Sequence, residues 1–390
     1  MLPWTFFALA AFLAWVFLLV AWHGFWRAEP RLRPVSEPLG ETPPIAAIIP
    51  ARDEAETIER AVRSLLAQDY AGRLQLIVVD DRSRDDTRAI VEALVPEVGP
   101  GRSLTCIINS ERPAGWSGKL WAIKAGLDHL EALPEPPDIL LLTDADIAHH
   151  PQNLSALLKN LVNENLDLLS LMVLLRNQSF WEHLLIPPFV FFFRMLYPFR
   201  AVNRPDHPMA AAAGGCVLLR RQALRDAGGI EAIKGALIDD VALGRLIKSR
   251  PNGAGRIWLG HAERTVSLRA YDGLAPIWQM VARSADTQLG HSLMNLAGTV
   301  TGMALLYLLP PLAVLLWPVH QDAALGGLGL AGWLLMAAAF RPTLRLYRAS
   351  VLWAPTLPLA ALLYTAMTID SARRYRRGVG GVWKGRAFQG

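Results

Sequence analysis

The sequence predicts an α/β domain, a mostly parallel sheet flanked by helices, set between an N-terminal transmembrane anchor and a C-terminal membrane helix bundle. Three observations carry this. The 390 residues are 52% hydrophobic and only 19% charged, against roughly a quarter charged in soluble domains. Between about Ile45 and Asp286, short β-rich runs alternate with helical patterns, as in an α/β layer architecture. Uncharged runs long enough to cross a bilayer lie on either side of that region.

No residue from Met1 to Trp26 carries a formal charge, and about 20 apolar helical residues cross the hydrocarbon core. A cleaved signal peptide is the competing reading. The segment lacks a basic start, however, and its apolar stretch exceeds the usual ~7–15 residues. Arg27, Arg31 and Arg33 follow at once. By the positive-inside rule they put the amino terminus outside and the next domain in the cytoplasm, at a bacterial-type inner membrane. Residues 27–44 read as a juxtamembrane linker.

Residues 45–290 read as the cytoplasmic catalytic domain, with strands over IAAII (45–49), LQLIVV (74–79), LTCII (104–108), ILLLT (139–143) and DLLSLMV (167–173). Polar residues collect where these strands end, at 50–54, 80–87 and 143–146. Open α/β sheets bind ligands at those ends. Neither a Walker A loop nor a G-x-G-x-x-G fingerprint is present, so a P-loop NTPase and a dinucleotide dehydrogenase are unsupported. The aromatic stretch 179–199, interrupted by Pro187 and Pro188, is expected to lie in the membrane interface rather than to span or to form a buried core helix.

Three apolar runs follow, at about 297–319, 323–340 and 351–369. Arg341, Arg345 and Arg348 mark the loop between the last two as cytoplasmic. The basic tail 370–390, with Arg373, Arg374, Arg376, Arg377, Lys384 and Arg386, belongs inside as well. These placements conflict if 351–369 spans. Pro355 and Pro358 would break a straight helix there, so a re-entrant hairpin is expected.

The formal charge is +5, yet residues 1–321 hold 30 basic and 32 acidic side chains. The excess therefore lies in the C-terminal membrane section, and composition gives no nucleic-acid signal. Two cysteines, Cys106 and Cys216, are too few for a disulfide framework or a four-thiolate zinc site.

Acidic clusters carry the chemistry. Asp80 and Asp81 end an apolar strand and read as a ligand site, whereas Ser83, Asp85 and Asp86 serve equally well as helix caps. Asp144 and Asp146, on alternate residues beyond ILLLT, can direct two carboxylates at one hard divalent cation. His149 and His150 read as an exposed turn rather than as ligands. Asp239 and Asp240 open a helical pattern running to Lys248. They fit either helix-dipole stabilisation or, for one of them, a general base.

Together PARDE (50–54), VDDRSRDDT (79–87), GWSGK (115–119), TDAD (143–146), AAAGGCVLLRR (211–221) and the block 228–244 ending DDVALG resemble family 2 glycosyltransferases of the GT-A fold. The likeness covers about residues 45–290. The flanking membrane segments and the terminal WKGR (383–386) are similar to the hopene-associated membrane glycosyltransferases, with ceramide and carotenoid glycosyltransferases as relatives. The resemblance implies inverting transfer of a hexose from a nucleotide-diphosphate sugar to a hydroxyl of a lipid, a hopanoid among the implied acceptors, with Mg²⁺ or Mn²⁺. It implies donor contacts from Pro50, Asp53, Glu54, Asp80, Asp81, Lys119, Asp144 and Arg283, and metal ligation by Asp146 with Asp144. It makes Asp240 the catalytic base beside Asp239, and sets Gly214, Gly215 and Cys216 against sugar or acceptor. One departure stands out: the Q-x-x-R-W motif of many membrane-bound relatives is matched only by Gln279 to Arg283, one residue too long and lacking the tryptophan. Other readings are a polyprenyl-phosphate acceptor, a lipid transporter and a non-catalytic lipid-binding scaffold. The uncharged membrane runs and the lack of a detectable inverted repeat weigh against transport.

Overall fold

The computed structural model describes residues 3–33, 40, 42–250 and 255–378, and the backbone of 382–383 and 386–387. The chain divides into a helical unit (1–28, 177–200, 270–381) and an α/β unit (29–176, 201–269, 382–390). The expected catalytic block 45–290 is thus interrupted, because 177–200 and 270–290 belong to the helical unit. WKGR at 383–386 lies outside the residues whose side chains are described.

The α/β unit holds β1 (Ile45–Ala51), β2 (Leu74–Asp80), β3 (Arg102–Ile108), β4 (Ile139–Thr143), β5 (Ile147–Ala148), β6 (Leu168–Leu174), β7 (Cys216–Arg220) and β8 (Ile257–Ser267) in one sheet, ordered β3-β2-β1-β4-β7-β6-β8-β5. All five expected strands form. β1 is buried along its whole length, so it reads as a continuous apolar run rather than an alternating one. β7 runs antiparallel to both β4 and β6, and β5 antiparallel to β8. The sheet is therefore mixed, with four parallel pairings among the described strands.

The direction of β7 matters for the site. β1, β2 and β4 are parallel and end at one edge, and antiparallel β7 begins there, with Cys216 opposite Thr143. Gly214 and Gly215 thus arrive where the acidic strand ends are. The helix Gly118–Glu131 starts near the same edge, and Ser117 caps it by accepting from the Leu120 amide. It packs closely on β1 because Gly126 has no side chain; a Cβ there would lie 2.6 Å from Ile48.

In the helical unit, Pro3–Val20, Leu293–Leu315, Ala323–Leu346 and Val351–Arg376 are long and apolar enough to cross a membrane. The third helix reaches Leu346, so Arg341 and Arg345 lie in its last turns and not in a loop. No loop interrupts 351–369, the run expected to form a re-entrant hairpin. A 3₁₀ stretch, Val351–Thr356, leads directly into the helix Leu357–Arg376. Pro355 falls in the 3₁₀ stretch and Pro358 in the first helical turn, where a missing N–H breaks no intrahelical bond. The aromatic stretch also differs from expectation. It is one helix, Phe180–Leu196, running through Pro187 and Pro188, with Leu184–Pro188, Val190 and Phe191 buried. Phe191 packs on Phe25 and Phe340, so this is a core helix of its unit and not a surface segment.

Candidate active site

β4 hands the chain to Thr143, Asp144, Ala145 and Asp146. Thr143 donates its hydroxyl to the Gly215 carbonyl at 2.8 Å and meets His149 Nε2 at 2.9 Å; His149 Nδ1 lies 3.0 Å from Asn153 Nδ2. His149 is buried, and burial pushes its pKa down to about 3. It is a neutral strut behind the acidic pair, which corrects the expectation of an exposed turn. His150 is partly exposed, 3.2 Å from Arg264.

Lys119 draws the clusters together. Its ammonium lies 2.7 Å from Asp144 and 3.1 Å from Asp239. Burial disfavours the charged lysine, but Asp144 and Asp239 outweigh it and hold the ammonium above the ordinary lysine range. Burial raises the Asp144 pKa, Lys119 opposes the shift, and the Asp146 charge adds to it. Asp240 opens the helix Asp239–Lys248 and accepts the Gly214 amide at 3.0 Å and its neighbour Val241's at 2.8 Å. Burial, then the charge of Asp239, push its pKa up to about 6 against the pull of Lys119. Gly214 has to be small, because a Cβ would lie 3.2 Å from Lys119 Nζ and 3.3 Å from Asp240 Cβ. Pro50, Lys119, Asp144, Gly214, Asp239 and Asp240 line one cleft.

Asp146 faces another cation. Arg269 Nε is 2.8 Å from Asp146, and its Nη2 is 2.6 Å from Glu54. The sequence reading missed Arg269, which stands two residues beyond β8. The pairing Ile147↔Ser267 and the bond from Leu268 N to Asp146 O (2.7 Å) bring it there. A basic residue just past a strand end at the ligand edge is the one signal that could have pointed to it.

The loops after β1 and β2 are stitched together. Asp53, at φ +50°, accepts from the Arg84 amide (2.8 Å) and donates its own amide to Ser83 Oγ (3.0 Å). Asp85 accepts from the amides of Ala55 and Thr87 (3.0 and 3.1 Å) and from the Thr87 hydroxyl (2.5 Å). Asp86 holds the N-cap position of the helix Thr87–Leu94 without a side-chain cap bond. Ser83 and Asp85 therefore tie loop to loop more than they cap. Asp80 receives the Ser83 amide at 3.2 Å. Asp81 is fully buried, its carboxylate met by Asn109 at 3.1 Å and Arg52 at 3.7 Å. Arg52, also missed, is itself buried and donates to the carbonyls of Asp81 and Arg82.

Two expected residues stand elsewhere. Cys216 is fully buried, its thiol turned to Asn153, so of Gly214, Gly215 and Cys216 only Gly214 lines the cleft. Arg283 is exposed at the end of the helix Leu274–Ala282 and belongs to the helical unit, whereas the carboxylates belong to the α/β unit.

Residues 46–228 match the family model described as glycosyl transferase family 2. No curated protein matches the chain. Among solved structures, it is similar to the mannosyltransferase PcManGT from Pyrobaculum calidifontis in complex with GDP-Man and Mn²⁺, at 20% identity and TM-score 0.56, over 95% of this chain and 98% of that one. This likeness shows the fold, a GT-A-like α/β arrangement. Glucosyl-3-phosphoglycerate synthase from Mycobacterium tuberculosis, in complex with Mg²⁺ and UDP, is more distant: 21% identity and TM-score 0.40, over 64% of this chain and 79% of that one.

Proposed function

Residues 46–228 match the family 2 glycosyltransferase model, and from that match we propose that this chain is a membrane-bound enzyme that moves a sugar, with inversion, from a nucleotide-diphosphate donor to a hydroxyl of a lipid, a hopanoid being the acceptor to try first. The observation that carries the reading is the cleft in which Asp240, hydrogen-bonded to the Gly214 amide, stands beside Lys119 and its partners Asp144 and Asp239. The lipid acceptor draws support from the long apolar helices of the same chain, and the cytoplasmic side from the arginines after the first of them.

In this reading Asp240 takes the proton of the acceptor hydroxyl as that oxygen attacks the anomeric carbon. The bond from that carbon to the diphosphate oxygen breaks on the opposite face. A single displacement inverts the centre and requires no covalent intermediate. Lys119 keeps a positive charge beside the leaving diphosphate, where it is worth most as charge develops. Asp53, Glu54, Asp80 and Asp81 shape the nucleoside end through the stitched loops, and Pro50 forms part of the cleft wall.

The donor set fits a hard divalent cation. Asp144 and Asp146 offer carboxylate oxygens, and the raised pKa of Asp144 reflects its burial first and then the charge of Asp146. Among the described residues no group of three or more His, Cys, Asp or Glu side chains converges on one point. Asp146 and Asp144 would therefore hold Mg²⁺ or Mn²⁺ jointly with donor phosphate and water, the usual manner of Mg²⁺. When bound, the cation supplies charge neutralisation for the departing diphosphate.

The test is nucleotide diphosphate release by purified protein in detergent, with UDP- and GDP-sugars, with and without Mn²⁺, and with hopanoid, ceramide or polyprenyl phosphate. Release that needs both the cation and a lipid hydroxyl is expected. Release only with polyprenyl phosphate would overturn the hydroxyl acceptor. No release from folded protein with any donor would overturn the activity.

A further inference from the structure

Arg269 is the cation the sequence did not announce, and it joins two acids of the candidate site. Its guanidinium does not fork onto one carboxylate. Nε goes to Asp146 at 2.8 Å and Nη2 to Glu54 at 2.6 Å, so one planar cation bridges acids 92 positions apart in sequence. Both carboxylate side chains are only 11% exposed, whereas Arg269 is 34% exposed. The acids are built in, and the arginine reaches them from the open side. An arginine cannot shed its charge to make room.

Resting on the reading of Asp146 as a metal carboxylate, we propose that Arg269 occupies the Glu54 and Asp146 pair in the donor-free enzyme, that a divalent cation gains Asp146 only by displacing it, and that the released guanidinium turns to the donor diphosphate. Two cations cannot share Asp146 at hydrogen-bond range without strong repulsion. Displacement becomes favourable when the incoming donor brings its own negative charge, to which the fork of Arg269 is suited. Cation and donor binding are then coupled through one side chain, and Arg269 is a positioning residue for both.

The experiment titrates Mn²⁺ into the full-length, donor-free protein in detergent and reads free Mn²⁺ by electron paramagnetic resonance. Arg269→Gln should bind Mn²⁺ about 10-fold more tightly than wild type, because two uncompensated carboxylates remain. With Mn²⁺ present, the same variant should bind UDP or GDP, whichever the wild type binds, more weakly. A merely structural arginine would lower both affinities, so opposite signs are the signature. Unchanged or weakened Mn²⁺ binding in a variant that melts like wild type overturns the proposal. If Arg269→Gln does not fold, Arg269→Lys, which keeps the charge but not the two-pronged bridge, should tighten Mn²⁺ by a smaller factor, and no tightening overturns the proposal. Asp146→Asn separates the two ideas. Mn²⁺ binding that survives it defeats the metal assignment itself, whereas binding that needs Asp146 yet ignores Arg269 defeats only the role of the arginine.

Discussion

Asp240 has to be an anion to accept a proton, and its surroundings make it a reluctant one. Burial and the charge of Asp239 push its pKa up to about 6, with Lys119 pulling the other way. Two consequences follow, with opposite signs for activity and stability. In the donor-free enzyme kcat/KM should fall about tenfold per pH unit below about 6, as the base becomes protonated; a flat profile down to pH 5 would remove Asp240 from that role. For stability, the folded state holds this proton more tightly than the unfolded chain does. The contribution is present below about pH 4, the ordinary aspartate value, and is lost as pH rises through about 6. At neutral pH the ionised carboxylate is therefore a cost, of about 1–2 kcal/mol once its partial exposure is allowed for. Asp240→Asn should abolish transfer, leave donor binding nearly intact and raise the melting temperature at pH 7.5. Loss of donor binding in parallel with transfer would assign the residue to the donor instead.

At the scale of elements, the helix Phe180–Leu196 shows what local pattern reveals and what it hides. Its start carries a local signal that the sequence reading passed over: Ser179 and Glu182 have capping-box spacing, and both reciprocal bonds form. Its burial was not readable, because paired prolines and dense aromatics suit an interface as well as a core. Glu182 then exceeds the local pattern. It is fully buried and accepts from the amides of Gln178, Ser179 and Tyr271 at 2.8, 2.8 and 2.9 Å, and the third of these lies 89 residues away. Glu182→Ala should strand three amide donors, that of Tyr271 buried, and cost about 2–4 kcal/mol, read as a lower melting temperature in detergent, with Glu182→Gln recovering part of it. A loss below ~0.5 kcal/mol would mean that water replaces the carboxylate. The same division runs through the α/β unit. The apolar runs of β1, β2 and β4 and the acids after them are written consecutively in the chain, so strands and clusters were legible together. Arg269 meets Asp146 and Glu54 across 123 and 215 residues. β7 and β8 lie in stretches whose periodicity is broken by glycine or by charge, and a pairing partner distant in sequence fixes them.

At the scale of the whole chain, the contacts of the helical unit bear on the conflict between its two basic stretches. Thr5 donates to Asp322 at 3.0 Å, so the helices Pro3–Val20 and Ala323–Leu346 start at the same end of the bundle. They finish at the other end, where Trp22 bonds the Met195 carbonyl and Arg194 meets Thr343. Leu293–Leu315 runs oppositely, and residues 278–291 precede it at that second end. Val351–Arg376 begins five residues after Leu346, reaches Trp333 at Pro355 (3.0 Å), and ends with Asp370, Ser371 and Tyr375 against Trp278, Asp286 and His291. Both of its ends lie at the second end of the bundle. Although it is long enough to cross, these contacts lead us to expect that it enters and returns, which would leave three crossings. That arrangement would put Arg345 and Arg348 on the side of Arg27, as the positive-inside rule requires. Topology reporters provide the check. Fusions after Arg33 and after Gly390 should both read cytoplasmic, and one inserted at His320 periplasmic. A periplasmic reading at Gly390 together with a cytoplasmic one at Arg33 would mean that Val351–Arg376 crosses after all, and that the arginines of the tail are held outside against their charge.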